Sequence, residues 1–175
     1  MKSLACLACL VIACHDSTAT APAPVDSNAT FVAFPATFAA FRSWTSVHDD
    51  GPPDDGTYGS DVLGPRTQYI NQLPPHGATQ FPIGTVIVEA RESGAMLIIA
   101  AAKRGGGFNA DGAINWEWFG LAEGSDGSVA INWRGIGPPV GGYGALPTSG
   151  CNECHQMCGA NNDYVCSPEL QLASF

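Results

Sequence analysis

The cysteines constrain this chain more than any other feature. Of its 7 cysteines, Cys6, Cys9 and Cys14 crowd the N-terminus and Cys151, Cys154, Cys158 and Cys166 crowd the C-terminus, with none between. A disulfide framework for a whole domain would be spread along it, so the last four mark one local covalent site. Within them stands Cys151-Asn152-Glu153-Cys154-His155. On a helical turn, residues three and four apart share a face, so Cys151, Cys154 and His155 project the same way. Two thiols that can each take one vinyl group of a porphyrin, with an imidazole beside them for the iron, make this the attachment pattern of haem c. The rival is a zinc site drawn from Cys151, Cys154, His155, Cys158 and Cys166, but the second close-spaced cysteine pair of structural zinc modules is missing. Cys158 and Cys166 are left over, and a disulfide closing the tail is the simplest account of them.

The N-terminus places that site outside the cytoplasm. Lys2 and the apolar run Leu4–Ala13 have the length of a signal-peptide core, too short for a permanent span. The run ends Val11-Ile12-Ala13-Cys14, which resembles a bacterial lipobox. The expected organisation is a signal at residues 1–13, a tether at 14–30 lipidated on Cys14, and one domain at 31–175. Ordinary cleavage to an unlipidated product is the alternative. The tether, rich in Ala, Thr, Ser and Pro, has no periodicity. On this reading the membrane is touched through the lipid anchor alone, and the domain faces the periplasm or the cell exterior.

Loss of Lys2 leaves 6 of the 7 Lys+Arg against 16 Asp+Glu, a net charge of −10. That sign disfavours nucleic acid and suits a basic electron-transfer partner, such as a partner cytochrome. The remaining roughly 160 residues suffice for one core.

Phe34, Phe38, Phe41 and Trp44 or Thr45 recur at helical spacing after Pro35, a short amphipathic helix whose aromatic stripe reads as core. Asp49 to Asp61 is an aspartate-rich loop without the spacing of a calcium loop. Strand-like runs follow at Thr67–Asn71, Gly84–Glu89, Met96–Ala102, Ile114–Leu121 and Val129–Trp133. The turns Glu92-Ser93-Gly94, Asn109-Ala110-Asp111-Gly112 and Ser125-Asp126-Gly127 separate the later runs. The expected class is α+β, an antiparallel sheet with a few helices and the haem site near the C-terminus. Gly135–Gly150, rich in glycine and proline, is a loop leading to that site. Lys103-Arg104-Gly105-Gly106-Gly107 lacks the ending of a phosphate loop and reads as an exposed turn. No nucleophile with a base and an orienting partner is evident. Met157, Met96, His48 and His76 are the candidates for a sixth iron ligand, and none stands out. An open five-coordinate iron favours small-molecule binding over pure electron transfer.

The order of several stretches resembles the cytochrome P-460 family, whose fold is shared with the cytochromes c′-beta. They are Phe41-Arg42-Ser43-Trp44, Gly84-Thr85-Val86-Ile87-Val88, Lys103 to Asn109, Asn115-Trp116-Glu117-Trp118-Phe119 and Cys151 to His155. The resemblance implies a single haem c near the C-terminus, an apolar distal pocket, commonly a homodimer, and oxidation of hydroxylamine or binding of nitric oxide and similar gases. In the hydroxylamine oxidisers a lysine of the signature strand is linked to the porphyrin. The matching position here is Glu89, which puts that activity in doubt. Arg66 matches a distal arginine of those enzymes. Arg66 and Glu89 are therefore the candidate polar groups of the distal pocket and Phe81 its apolar wall; the alternative is an ordinary surface ion pair.

Overall fold

The computed structural model describes residues 29–51, 64–91, 98–138 and 150–175. Six strands form one antiparallel sheet in chain order: β1 (Thr45–Asp49), β2 (Arg66–Ile70), β3 (Val86–Arg91), β4 (Ile98–Lys103), β5 (Trp116–Glu123) and β6 (Val129–Gly135). The β-branched and aromatic residues of these segments fit a pleated surface, and each strand pairs with the one before it. The α+β class with an antiparallel sheet is therefore what the chain adopts.

Strand alternation gives the sheet two different faces. One carries Val86, Val88, Ala100, Ala102, Phe119 and Leu121 and is covered by the N-terminal segment through Ala33, Phe38 and Phe41. The other carries Ile70, Ile87, Ala101, Trp116 and Trp118 and is covered by the C-terminal segment through Val165, Leu170 and Leu172. The continuous apolar run of β4 has this origin, since its two faces enter two different cores. Helix α1 (Pro35–Phe38) and a 3-10 turn (Phe41–Ser43) lie on the first side, and helix α2 (Cys151–Cys158) with three 3-10 turns (Ala160–Asn162, Pro168–Leu170, Leu172–Ser174) on the second.

One local expectation is corrected. The aromatic stripe predicts a helix running to about Thr45, yet α1 ends at Phe38 and Thr45–Asp49 is the edge strand β1. Phe38 and Phe41 are fully buried as the spacing suggests, while Phe34 is exposed. Register explains the switch: Thr45 to Asp49 pair with Ile70 to Arg66, and the backbone bonds of a strand outweigh continuation of a short helix. The N-terminal signal, most of the tether including Cys14, the aspartate loop at 52–63, Glu92-Ser93-Gly94, Met96 and most of the 135–150 loop lie outside the described residues. No described helix is long and apolar enough to cross a membrane.

Candidate cofactor site

The C-terminal segment and the second face of the sheet enclose a cavity of about 570 Å³. That lies within the roughly 300–1,000 Å³ of small-molecule and cofactor sites. Its walls are largely apolar, with Ile87, Ala101, Trp116, Trp118, Trp133 and Leu170 among them. Cys151, Cys154 and His155 all open onto it from α2. The helical spacing that places the three on one face thus turns that face inward.

Asn152, inside the same pentapeptide, explains how α2 is held. It is completely buried. Its Oδ1 accepts from Trp118 Nε1 at 3.1 Å, Asn109 Nδ2 at 2.8 Å and the Ala113 backbone N–H at 3.3 Å, and its Nδ2 donates to Asn109 Oδ1 at 3.0 Å. The helix is thereby tied to the β4–β5 connection and to β5. Trp118, oriented by that bond, packs on the His155 ring with centroids 4.3 Å apart. Nothing in the sequence motif marks Asn152; its neighbours on both sides are the ones with recognisable chemistry.

His155 Nδ1 lies 2.6 Å from the Tyr164 carbonyl oxygen. A carbonyl only accepts, so Nδ1 carries the proton and Nε2 keeps a free lone pair. Burial pushes the imidazole pKa down, against the Tyr164 bond and nearby Glu89, which raise it, while Arg66 lowers it further. The ring is held neutral, the form that binds a metal.

Cys151 and Cys154 are free thiols, whereas Cys158 and Cys166 are joined in a disulfide. The disulfide removes two of the sulfurs that a zinc site would have drawn on. Burial pushes the Cys151 thiol up to about 12, with neighbouring Cys154 adding to it. Burial and the Glu153 carboxylate raise Cys154 as well. Both sulfurs are therefore held as thiols rather than thiolates at neutral pH. Among the described residues no three His, Cys, Asp or Glu side chains converge as metal ligands.

Arg66 and Glu89 line the same cavity. Arg66 Nε is 3.6 Å from Glu89 Oε2, and each side chain is only 14% exposed, so the pair is not a surface one. Two groups missed in the sequence complete the cluster. Arg91 bonds Glu89 Oε1 at 2.6 Å, and Asp49 accepts from Arg66 Nη2 at 3.0 Å. The register produces this arrangement, because Asp49, Arg66 and Arg91 face one another across β1, β2 and β3. Gln68, opposite Glu89, donates from Nε2 to Glu89 Oε2 at 3.3 Å.

Two expectations fail. Phe81 is buried but does not line the cavity; it packs edge-on against Trp116, 5.9 Å between centroids, and Trp116 forms the wall in its place. Lys103 is not an exposed turn residue. It ends β4 at 1% exposure, with Nζ 2.5 Å from Asp163 Oδ1. A Lys-Arg pair before three glycines reads as a loop, and the partner Asp163, 60 residues on, together with the Ile114 carbonyl, makes the burial of Lys103 tolerable.

Of the candidate sixth ligands, His48 is exposed on β1 and His76 is exposed in a turn, and neither lines the cavity. Met157 does line it but is 69% exposed and sits on the same helix as His155. Comparison with family models, curated proteins and solved structures found no match for the chain.

Proposed function

We propose that this protein is an exported, lipid-anchored mono-haem c-type cytochrome of the cytochrome P-460 type, which binds or transforms small nitrogenous or diatomic ligands such as hydroxylamine or nitric oxide. One observation carries the reading: two free thiols and a neutral histidine, on one helical face, open together onto a largely apolar cavity of about 570 Å³. That donor set fits haem c. Each thiol can add S–H across one vinyl double bond to give a thioether without change of oxidation state. Bound there, the haem would supply an iron centre for ligand binding and one-electron chemistry.

The chain's own residues have distinct parts in this. Cys151 and Cys154 would hold the porphyrin covalently. His155 would offer Nε2 to the iron, its ring fixed by the Tyr164 carbonyl and by Trp118. Trp116, Trp133 and Ile87 exclude water. Arg66 and Glu89, with Arg91, Gln68 and Asp49, supply a polar patch in a largely apolar cavity, suited to orienting a ligand. Of the described candidates for a sixth ligand, His48 and His76 lie away from the cavity and Met157 shares a helix with His155, which supports an open iron position over a six-coordinate electron carrier. Glu89, where the lysine of the hydroxylamine oxidisers stands, argues for a porphyrin without that cross-link. The acidic surface favours a basic electron-transfer partner. The family resemblance implies a homodimer.

The deciding experiment is expression in a host that installs haem c, followed by absorption spectra of the ferric and ferrous protein with and without nitric oxide. A covalently retained haem that is high-spin and binds nitric oxide is expected. A colourless protein, or one carrying zinc, ends the proposal; a six-coordinate spectrum indifferent to nitric oxide makes it an electron carrier. Exchange of Cys151 and Cys154 for serine should leave no haem that survives acid–acetone extraction.

A further inference from the structure

The carbonyl that fixes His155 stands on an unusual piece of backbone. Asp163 and Tyr164 are consecutive non-glycine residues in the left-handed region, with φ of 51° and 65°. Such residues carry backbone strain and persist where their surroundings over-determine them. Here the surroundings converge on Asp163. Its Oδ1 takes the Lys103 ammonium at 2.5 Å, its Oδ2 accepts the Phe81 backbone N–H at 2.9 Å, and its own carbonyl accepts Trp116 Nε1 at 2.7 Å. Lys103 is fixed in turn by the Ile114 carbonyl at 3.3 Å, and the Tyr164 N–H reaches the Gly159 carbonyl at 2.9 Å. The result is the 2.6 Å contact from Tyr164 to His155 Nδ1.

A buried ion pair is weak evidence of stabilisation, because desolvating two charges offsets most of their attraction. Burial accordingly pushes Lys103 down and Asp163 up. An apolar pair would fill the space as well, but it would not hold the backbone at residue 163 in register with β4 and β5. We propose that Lys103 and Asp163 are positioning residues for His155: their ion pair clamps the Asp163–Tyr164 turn so that the Tyr164 carbonyl accepts the Nδ1 proton and sets how strongly the imidazole donates to a metal. This rests on the reading of His155 as the iron ligand. A hydrogen bond from Nδ1 gives the ring imidazolate character, strengthens the bond at Nε2 and favours the ferric state.

The test uses the haem-loaded protein and two variants, Lys103→Met and the double change Lys103→Met with Asp163→Asn. The double variant removes both charges yet keeps an amide oxygen for the Phe81 N–H, so it guards against simple misfolding of the single one. The readouts are the iron–histidine stretching frequency of the ferrous form and the midpoint potential. Expected are a lower frequency and a higher potential, with the thioethers and the disulfide intact. A variant that retains covalent haem and shows unchanged frequency and potential, however much its Tm falls, overturns the inference and leaves the haem assignment standing. A wild-type protein without haem removes both.

Discussion

At the residue scale, the side chains that organise this site are those without textual prominence. Asn152 satisfies three donors with one oxygen, and two of them, the Trp118 indole and the Ala113 amide, are buried. Asn152→Ala leaves them unpaired at about 1–3 kcal/mol each. The expected outcome is a stability loss of at least about 2 kcal/mol in urea unfolding, together with lower haem retention as Trp118 and α2 lose their tie. Unchanged stability would mean that water replaces the amide. Glu89 can be probed with less disruption. Glu89→Gln retains the shape facing Gln68 but removes the charge shared by Arg66 and Arg91. We expect altered nitric oxide or hydroxylamine affinity of the haem-loaded protein; identical affinities for both proteins would refute a role at the ligand.

At the scale of elements, β5 and α2 decide the shape of the cavity. The ladder between β5 and β6 shifts register between Gly120 and Leu121, and Trp133 pairs directly with Gly120. A Cβ at Gly120 would stand 2.1 Å from Trp133 Nε1, so this glycine is present to let the indole lie flat against the sheet. Gly120→Ala should push Trp133 into the cavity, cost about 1–3 kcal/mol and weaken ligand binding. A Trp133 fluorescence spectrum and affinity that match wild type would refute that packing account. The disulfide between Cys158 and Cys166 closes a short loop of sequence separation 8 around the C-terminal end of α2. Chain entropy assigns such a loop about 2.5 kcal/mol. Replacing both cysteines by serine should lower Tm by roughly 5–10 °C on that basis. Because Cys166 Sγ lies 3.6 Å from His155 Nδ1, on the proposed haem reading the same change should also alter the iron–histidine stretch of the haem-loaded protein.

At the scale of the whole molecule, the described residues form a sheet covered on one face by Ala33, Phe38 and Phe41 and on the other by Val165, Leu170 and Leu172, and ion pairs close each side. On the N-terminal side, Glu117 is completely buried on β5. Arg134 reaches it from β6 at 2.8 Å and Arg104 at 3.3 Å, while Arg134 also donates to the Ala33 carbonyl at 2.9 Å. At the edge, Arg42 holds Glu123 at 2.6 Å and keeps its carboxyl below the usual range. The sign follows from that depression: the pair contributes above the unfolded carboxyl pKa and is lost as pH falls through the lower folded one. With Arg42 half exposed, Arg42→Ala should cost no more than about 1 kcal/mol at pH 7. The difference from wild type should shrink as the pH drops below about 4, in parallel denaturant titrations.

Much of this was legible in the sequence, and the limits have physical causes. Five strands, the α+β class and the shared helical face of Cys151, Cys154 and His155 follow from local periodicity, which belongs to the chain itself; that this face turns onto a cavity does not. Hydrophobic alternation and helical spacing act between near neighbours, so they survive without knowledge of the fold. The edge strand β1, the burial of Lys103, the displacement of Phe81 by Trp116 and the cluster of Asp49, Arg66, Glu89 and Arg91 depend on which strands pair and in what register. Asn152 and Asp163 matter because of partners 34 to 82 residues away. The sequence by itself determined which groups could do covalent and metal chemistry, because that is a property of side chains and their spacing along one helix. Only the tertiary structure decided their electrostatic surroundings, because burial and charge pairing arise where distant segments meet.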